Sequence, residues 1–260
     1  MELPTLSAGA MVALCALVFL AGLIDAAAGG GGLISLPAYL FVGLPAHLAL
    51  GSNKFSAACG TLFSTGRYLL HGALDWKTAA LSALFSFAGS AAGAQFALLL
   101  SDRVLKTLLL FLLPCVAAVL LTRRTFGEEN HADRLSLRKK NLFAAAIGLF
   151  IGCYDGLAGP GTGTFAIMAY CLLMGYDLRT ASGNAKLLNL ASNLAALATF
   201  LHAGTVVYAL AVPAAFCGIA GNLLGAGLAL KKGARFIRPM LALVLVLLLV
   251  KILIDLFISR

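Results

Sequence analysis

Long apolar runs dominate this sequence and constrain its fold more than any other feature. Of the 260 residues, 61% are hydrophobic and only 11% are charged, whereas a soluble domain carries charge on about a quarter of its residues. Stretches such as 77–100 and 236–258 have almost no charge in their central turns. Each is long enough to span a hydrocarbon core of about 30 Å as a helix. The sequence therefore predicts an all-α polytopic membrane protein.

Hydrophobic runs and their breakers predict about 8–10 membrane segments. These segments cover residues 6–28, 31–42, 50–70, 77–100, 104–122, 141–158, 160–174, 181–202, 206–230 and 236–258. The second and seventh are too short to cross a bilayer easily. No Lys or Arg precedes the first segment, and no cleavage pattern leads into a polar chain. We therefore interpret it as a membrane helix rather than a signal peptide.

One hydrophilic stretch, residues 123–140, divides the chain near its middle. It separates an N-terminal membrane repeat (1–122) from a C-terminal membrane repeat (141–260) and is rich in Arg and Lys. Basic loops of membrane proteins face the cytoplasm. The net charge of +9 is therefore explained without nucleic acid as a partner.

The second half of the chain repeats features of the first at a nearly constant offset. Asp25 matches Asp155 at 130 residues, and Lys54 matches Lys186 at 132. The same two offsets align further identical residues, mostly glycines. These pairs are Gly29 with Gly159, Gly31 with Gly161, Gly43 with Gly175, Gly51 with Gly183, Gly72 with Gly204, Gly89 with Gly221, Gly93 with Gly225 and Arg103 with Arg235. Shared charged residues in one frame indicate an internal duplication.

Loop charges predict how the two repeats are oriented. If each half crosses the membrane five times, the basic middle loop and the 231–238 turn face the cytoplasm, while the nearly uncharged turns 43–49 and 203–205 and both termini face the other side. An odd number of crossings makes the repeats inverted. If segments two and seven are re-entrant, each half crosses four times and the repeats are parallel. We disfavour that arrangement because it places the four positive residues of the last turn outside.

Two glycine-rich breaks follow the matched aspartates. The first contains Gly29, Gly30, Gly31 and Gly32, and the second runs through Gly159, Pro160, Gly161 and Thr162. Successive glycines hold a helix poorly, each costing about 1 kcal/mol relative to Ala. Such a break predicts a short or broken helix whose N-terminal N–H groups face a cavity and bind an anion. Close helix packing through glycine is the alternative.

Lys54 and Lys186 lie in apolar runs, where a central lysine costs about 2.5–3.5 kcal/mol. Two such residues at matched positions predict that their ammonium groups converge on a bound anion. A buried salt bridge to Asp25 or Asp155, or snorkelling to an interface, is the structural alternative.

The candidate substrate-binding residues combine the lysines with nearby polar residues and the breaks: Lys54, Lys186, Asn53, Asn184, Ser56, Asn189, Gly30, Gly31, Gly32, Gly161 and Thr162. Asp25 and Asp155 are candidates for a coupling role or for salt-bridge partners of the lysines. The six scattered cysteines form no CxxC pair, so we expect no metal and no cofactor. The expected partners are a small anionic substrate and the lipid bilayer, and a homodimer is left open.

The motifs together resemble the TauE/SafE sulfite exporter family. The resemblance is carried by Gly22 to Leu33 with Pro37, by Gly51 to Lys54, by Tyr154 to Pro160 and by Asn184 to Asn189, in order and on both halves. It implies a carrier in the bacterial cytoplasmic (inner) membrane for sulfite, organosulfonates or related small anions. It also implies that Asp25, Gly29 to Gly32, Lys54, Asp155, Gly161, Asn184 and Lys186 lie in the cavity.

The predicted function is therefore secondary-active transport of a small anion, such as sulfite, an organosulfonate or a related sulfur-containing or carboxylate anion, by alternating access between two repeats. An anion channel would need the same cavity without a closing step. An intramembrane enzyme is disfavoured because the sequence contains no HExxH motif and no Ser/His/Asp grouping.

Overall fold

Helices account for the regular structure of the protein in the residues that the computed structural model describes, 7–101, 104, 127–244 and 246. The first half contains α1 (Ala8–Ala28), α2 (Gly32–Phe41), α3 (Ala46–Leu70) and α4 (Trp76–Leu99). After a 3-10 turn at Ala132–Arg134 come α5 (Leu137–Leu157), α6 (Thr162–Met174), α7 (Leu178–His202) and α8 (Tyr208–Lys232). Residues 234–244 form α9. Both halves thus have a short helix in second place.

The observed helix bounds agree with the predicted segments to within about four residues. The largest differences lie at the starts of α3 and α5. The helix α5 begins at Leu137 after the extended residue Ser136, so the last basic residues of the predicted 123–140 loop form its first turn. Long basic side chains can extend from such a turn to the membrane surface. The predicted segment 104–122 lies almost wholly outside the described residues, as does the end of segment 236–258.

Several helices have the length and surface of membrane spans. In the described part of the chain, α1, α4 and α8 combine sufficient length with mean hydropathies of 2.3, 1.3 and 1.7. Large apolar side chains project outward from the bundle, among them Phe41, Leu84, Phe150 and Phe216, which are 68–86% exposed. Such a surface is stable in lipid and not in water. The fold is that of an all-helical membrane protein.

The helices α3 and α7 cross at the centre and run in opposite directions. The Thr65 hydroxyl donates to the Lys186 carbonyl at 3.1 Å, whereas the Asn193 amide, two turns further along α7, reaches Thr61 at 3.4 Å. Both helices have 25 residues but carry many buried polar side chains, which lowers their hydropathy. A polar stripe of this kind faces the interior of a membrane bundle.

Two other groups of helices run parallel. On α4 and α5, Gly89 lies against the Leu149 carbonyl and Gly93 against the Cys153 carbonyl, one turn further along both helices. On α1, α3 and α8 the contacts also advance together by one turn: Val18 and Ser56 meet Gly218, then Gly22 and Gly60 meet Asn222. The first helix of each half therefore packs in parallel against the fourth helix of the other half.

A seam of small residues closes the contact between α4 and α5. Gly148, Gly152 and Gly156 on α5 face the backbone of α4, and a Cβ on Gly152 would lie 2.4 Å from the Ser86 carbonyl oxygen. Glycine lets two helices approach until their backbones touch, which increases dispersion contacts where lipid offers no hydrophobic driving force. This seam fixes the position of α5 and of Asp155 near its end.

Asp75 connects the ends of three elements on one face of the bundle. Its carboxylate accepts a hydrogen bond from the Tyr176 hydroxyl at 2.5 Å, and Lys140 lies 3.8 Å away. Burial raises the pKa of Asp75, but hydrogen bonds from Tyr176 and Thr78 outweigh burial and leave the pKa below its ordinary value. Asp75 therefore stays ionised and caps α4.

We predict that Gly152→Ala destabilises the protein by about 1–3 kcal/mol, because the added methyl group overlaps backbone that cannot move away. Gly66→Ala is the matched control, since nothing lies within 4 Å of the new Cβ on that helical glycine. The control should be neutral or stabilising by up to about 1 kcal/mol. Thermal unfolding in detergent compares the two variants. Equal stability would contradict the close packing of α4 and α5.

Candidate functional site

The chain reverses direction twice near the centre of the bundle. The helix α1 ends at Gly29, which has a φ of +74°, and the chain turns back so that Gly31 lies against Ala21. Between α5 and α6, Gly159 and Gly161 have φ values of +87° and +82°. A residue with a side chain rarely adopts such a conformation. Glycine at these points therefore allows two short helices to begin in the interior.

The two reversals touch each other. The Gly163 amide, at the start of α6, donates to the Gly29 carbonyl at 3.1 Å, and the Thr164 hydroxyl donates to the Ala28 carbonyl at 2.6 Å. These bonds satisfy carbonyl groups that the end of α1 leaves without helical partners. A Cβ on Gly29 would lie 2.2 Å from the Gly163 backbone. The two glycine-rich breaks thus have both predicted roles: they interrupt the helices, and they let the two chain reversals pack closely against each other.

Lys54 of α3 pairs with Asp155 of α5. The Lys54 Nζ lies 2.6 Å from Asp155 Oδ2, and the two side chains are only 3% and 4% exposed. Lys54 also donates to the Asn193 amide oxygen at 3.0 Å. Asp155 accepts further bonds from Ser192 at 2.6 Å and Thr162 at 2.8 Å. Several donors surround this carboxylate, as a buried charge requires.

Lys186 of α7 pairs with Asp25 of α1. The Lys186 Nζ lies 2.7 Å from Asp25 Oδ2; the lysine side chain is fully buried and the aspartate side chain is 17% exposed. The other Asp25 oxygen faces the Gly31 N–H at 3.4 Å. Each pair joins the first half of the chain to the second. Asp25 is held by fewer and longer contacts than Asp155.

A small polar cavity of about 50 Å³ lies beside these pairs, between α1, α2, α3, α5, α7 and α8. Three asparagines among its lining residues, Asn53, Asn189 and Asn222, have a buried amide oxygen without a hydrogen-bond partner. Buried polar groups are nearly always paired in proteins. An amide can also turn to present its N–H₂ group. The unpaired amides therefore indicate a place for a polar ligand.

The structure brings eight of the candidate residues from the sequence to the cavity wall: Asp25, Gly31, Gly32, Asn53, Lys54, Ser56, Asp155 and Asn189. The other five have different surroundings. Lys186 contacts Asp25, Gly30 packs against Val244, Gly161 begins α6 and Thr162 donates to Asp155. The Asn184 amide oxygen accepts a bond from the Asp75 N–H at 2.9 Å, at the start of α4.

Asn222 of α8 is a cavity residue that the sequence analysis did not select. It is 3% exposed, and Gly22 and Gly60 leave the space for its side chain on the neighbouring helices. A single asparagine in an apolar helix produces no periodic signal. The offset of 132 places it opposite Ser90, another polar residue in an apolar helix, and this match is the signal that could have identified it.

The site is electrically balanced, with two ammonium groups against two carboxylates. No cluster of three or more His, Cys, Asp or Glu residues in the described ranges could hold a metal ion. The available groups are charged donors, carboxylate acceptors and neutral amides. Such a set can bind a small oxyanion through hydrogen bonds if one of the ion pairs rearranges.

We predict that Lys54→Met destabilises the protein by about 3–5 kcal/mol, because it leaves the Asp155 carboxylate buried without its cation. The double variant Lys54→Met with Asp155→Asn should recover most of this loss, since both partners are then neutral. Unfolding in detergent micelles measures both. Equal losses in the single and double variants would show that the charge pair itself is not what the fold depends on.

Comparison with known proteins agrees with these features. The family described as "Sulfite exporter TauE/SafE" matches residues 14–252. The chain is 36% identical to a "Probable membrane transporter protein" of Haemophilus influenzae, over 91% of this chain and 92% of the relative. It is 34% identical to the "Probable membrane transporter protein YfcA" of Escherichia coli K12, over 91% and 87%.

A Sinorhizobium relative, "Probable membrane transporter protein ORF9", is also 34% identical, over 91% of this chain and 90% of its own length. No solved structure gives a significant match. The family match and the relatives cover nearly the whole chain and describe a membrane transporter, not an enzyme. The chain belongs to the TauE/SafE sulfite exporter family of membrane transporters.

Proposed function

We propose that this protein is a secondary-active transporter of small anions that works by alternating access between two inverted repeats in the bacterial cytoplasmic membrane. The observation that carries the proposal is the two buried ion pairs, Lys54 with Asp155 and Lys186 with Asp25. Lys54 and both aspartates line a polar cavity. Ionisable residues in membrane helices are costly and usually mark a substrate path. Each aspartate holds its lysine until substrate arrives.

The substrate we propose is sulfite, an organosulfonate or a related sulfur-containing or carboxylate anion. The family description supports a sulfur oxyanion. The cavity of about 50 Å³ suits a ligand of a few atoms. Lysine donors and asparagine amides are the groups that bind oxyanions in other proteins. These arguments favour a small anion over a large or apolar substrate.

Matched contacts in the two halves support an internal duplication. The offsets found in the sequence convert each ion pair into the other, since Asp25 corresponds to Asp155 and Lys54 to Lys186. The same exchange relates two capping bonds, the Asp75 N–H to the Asn184 side chain and the Val207 N–H to the Ser52 side chain. It also relates left-handed glycines: Gly29 and Gly159, Gly43 and Gly175, and Gly72 and Gly204.

The helix directions support inversion of these repeats. The corresponding helices α3 and α7 are antiparallel. The helices α1, α3 and α8 are parallel to one another, and the short 71–75 turn reverses the chain between α3 and α4. The helix α4 and its parallel partner α5 are therefore antiparallel to α1. The corresponding helices α1 and α5, α3 and α7, and α4 and α8 thus point in opposite directions, which is the arrangement of many alternating-access carriers.

A difference between the two halves supports alternating access. In the second half, Asn222 of α8 faces the cavity with an unpaired amide oxygen. At the corresponding place in the first half, on α4, the Ser90 hydroxyl donates to the Ser192 carbonyl at 2.7 Å and the Ser86 hydroxyl to the Leu188 carbonyl at 3.2 Å. One half therefore resembles an open site and the other a closed one. A carrier that exchanges these roles would expose the site alternately.

We predict that the double variant Lys186→Met with Asp25→Asn folds but transports poorly. The neutral pair leaves no unpaired charge, while the substrate loses a charged hydrogen-bond donor that contributes about 1.5–3 kcal/mol. Thiosulfate and sulfite uptake into proteoliposomes should fall by at least about tenfold at low substrate concentration. Lys77→Met, at an exposed lysine in the first turn of α4, is the control and should transport like wild type.

Wild-type transport by the double variant would contradict a role of this pair in substrate binding. Saturable uptake that a gradient drives to accumulation is expected of the wild-type carrier. Unsaturable flux that only follows the anion's own gradient would instead support the alternative, an anion channel.

We predict that the ends of α7 lie on opposite sides of the membrane, with the middle loop in the cytoplasm. Residue Glu129 lies beside the start of this helix, because the Leu178 N–H donates to Gly127, and Ala203 follows its end. A helix of 25 residues is about 37 Å long. In a cysteine-free background, an impermeant maleimide should label Ala203→Cys from outside and Glu129→Cys only from the cytoplasmic side. Labelling of both from one side would contradict the topology.

A further inference from the structure

The groups of this site that would attract a substrate anion already bind a carboxylate of the protein. The Lys186 ammonium lies 2.7 Å from the Asp25 carboxylate, and the Gly31 amide at the start of the second helix also faces Asp25, at 3.4 Å. Lys54 is likewise neutralised by Asp155. An ammonium group and a helix N-terminus are both anion-binding features. In the structure they bind a carboxylate of the protein itself.

A substrate anion added to this site would leave it with a net negative charge. A buried charge without a counter-ion is strongly unfavourable. Moving a proton from Lys186 to Asp25 does not help, because the sum of charges stays the same. A proton taken up from water restores neutrality and needs no additional room in a cavity of about 50 Å³. A metal cation would need a shell of ligands beside the substrate.

The two carboxylates differ in how easily they could accept that proton. Asp155 accepts three hydrogen bonds, from Lys54, Ser192 and Thr162, at 2.6–2.8 Å, and its side chain is 4% exposed. Asp25 accepts one short bond and one long amide contact, and its side chain is 17% exposed. Protonation of Asp25 therefore sacrifices fewer interactions, and the cavity gives access to it.

We propose that a substrate anion replaces the Asp25 carboxylate at Lys186 and Gly31, and that Asp25 takes up one proton from water as it is displaced. The carboxylate becomes a neutral carboxylic acid, and Lys186 remains an ammonium group. For a monovalent anion, the loaded site holds one anion and one proton more than the empty site, with the same net charge. This inference rests on the proposed function and specifies its coupling ion: anion and proton cross the membrane together.

The charged and titratable groups that face Asp25 come from the elements around it: Lys186 from α7, Lys54 and Tyr68 from α3, and Asp155 from α5. Tyr68 donates its hydroxyl proton to the Ala26 carbonyl at 3.1 Å. The parts of α2, α6, α8 and α9 that the structure describes next to Asp25 contribute neutral groups. Lys186 is the one direct charge partner of Asp25 among the described residues.

The test measures protons and anion binding together on the full-length protein in detergent. Methanesulfonate is the main probe, and sulfate the second, because neither changes its own protonation in the neutral range. A pH-indicator dye in weak buffer should report about one proton taken up for each methanesulfonate bound. Calorimetry should show the affinity for methanesulfonate weakening about tenfold for each pH unit of increase, over the same pH range in which binding takes up one proton.

Asp25→Asn separates the two events. The variant should still bind methanesulfonate, since Lys186 then lacks its internal partner, but it should take up no proton and show an affinity independent of pH. Asp133→Asn is the matched control, because this carboxylate is fully exposed, and it should behave like wild type. The proton count on wild type needs no variant, so it tests the proposal even if Asp25→Asn does not fold.

Methanesulfonate binding by wild type without proton uptake would overturn the inference and leave the proposed function intact. Methanesulfonate binding in sodium buffer but not in choline buffer would also overturn the inference and leave the proposed function intact, because a metal cation would then supply the compensating charge. Undiminished proton uptake in folded Asp25→Asn would show that another group is protonated and would also overturn it. Failure of both probes to bind wild type would count against the proposed function itself.

Discussion

The structure depends on two buried ion pairs that cross between the halves of the chain. Lys54 of the first half pairs with Asp155 of the second, and Lys186 of the second half pairs with Asp25 of the first. Four charges in the interior of a membrane bundle are tolerable only because they cancel within hydrogen-bond distance. The pairs therefore hold the halves together. They also make the site sensitive to any ligand that brings a charge.

The rest of the architecture positions these pairs. The glycine reversal at Gly29 ends α1 just after Asp25, and Gly163 of the other half packs directly against it. Close packing of α5 against α4 through Gly152 brings Asp155 to the centre. The antiparallel crossing of α3 and α7 then supplies one lysine from each direction. The short distances of the ion pairs require a close approach of the helices, and the small residues between the helices allow that approach.

Much of this could be predicted from the sequence, and the remainder depends on tertiary contacts. Hydrophobic runs and glycine breaks locate α1 to α8 to within about four residues, because lipid imposes a length and a polarity on each helix. Lysines in apolar runs are conspicuous for the same reason. The sequence offers Asp25 and Asp155 as partners but cannot assign them, because the pairing crosses between distant helices.

The asparagines show where the sequence argument ends. Asn184 is two residues from Lys186, a spacing that places the two side chains on different faces of a helix, and the structure uses Asn184 to cap α4 through Asp75. Asn222 reaches the cavity from α8, a helix whose sequence shows no other sign of a site. Which polar residues of a helix face the cavity depends on its rotation in the bundle, and that is set by packing against its neighbours.

The most direct test of the account is a binding screen on purified protein that compares small anions with neutral and cationic molecules of similar size. The anions are sulfite, sulfate, thiosulfate and short sulfonates and carboxylates, and the readout is the rise in unfolding temperature on ligand addition. The account predicts that at least one anion stabilises the wild-type protein, and that this effect disappears in the neutral double variant Lys186→Met with Asp25→Asn. Stabilisation by a cation or a neutral molecule alone, or an anion effect that the double variant retains, would contradict it.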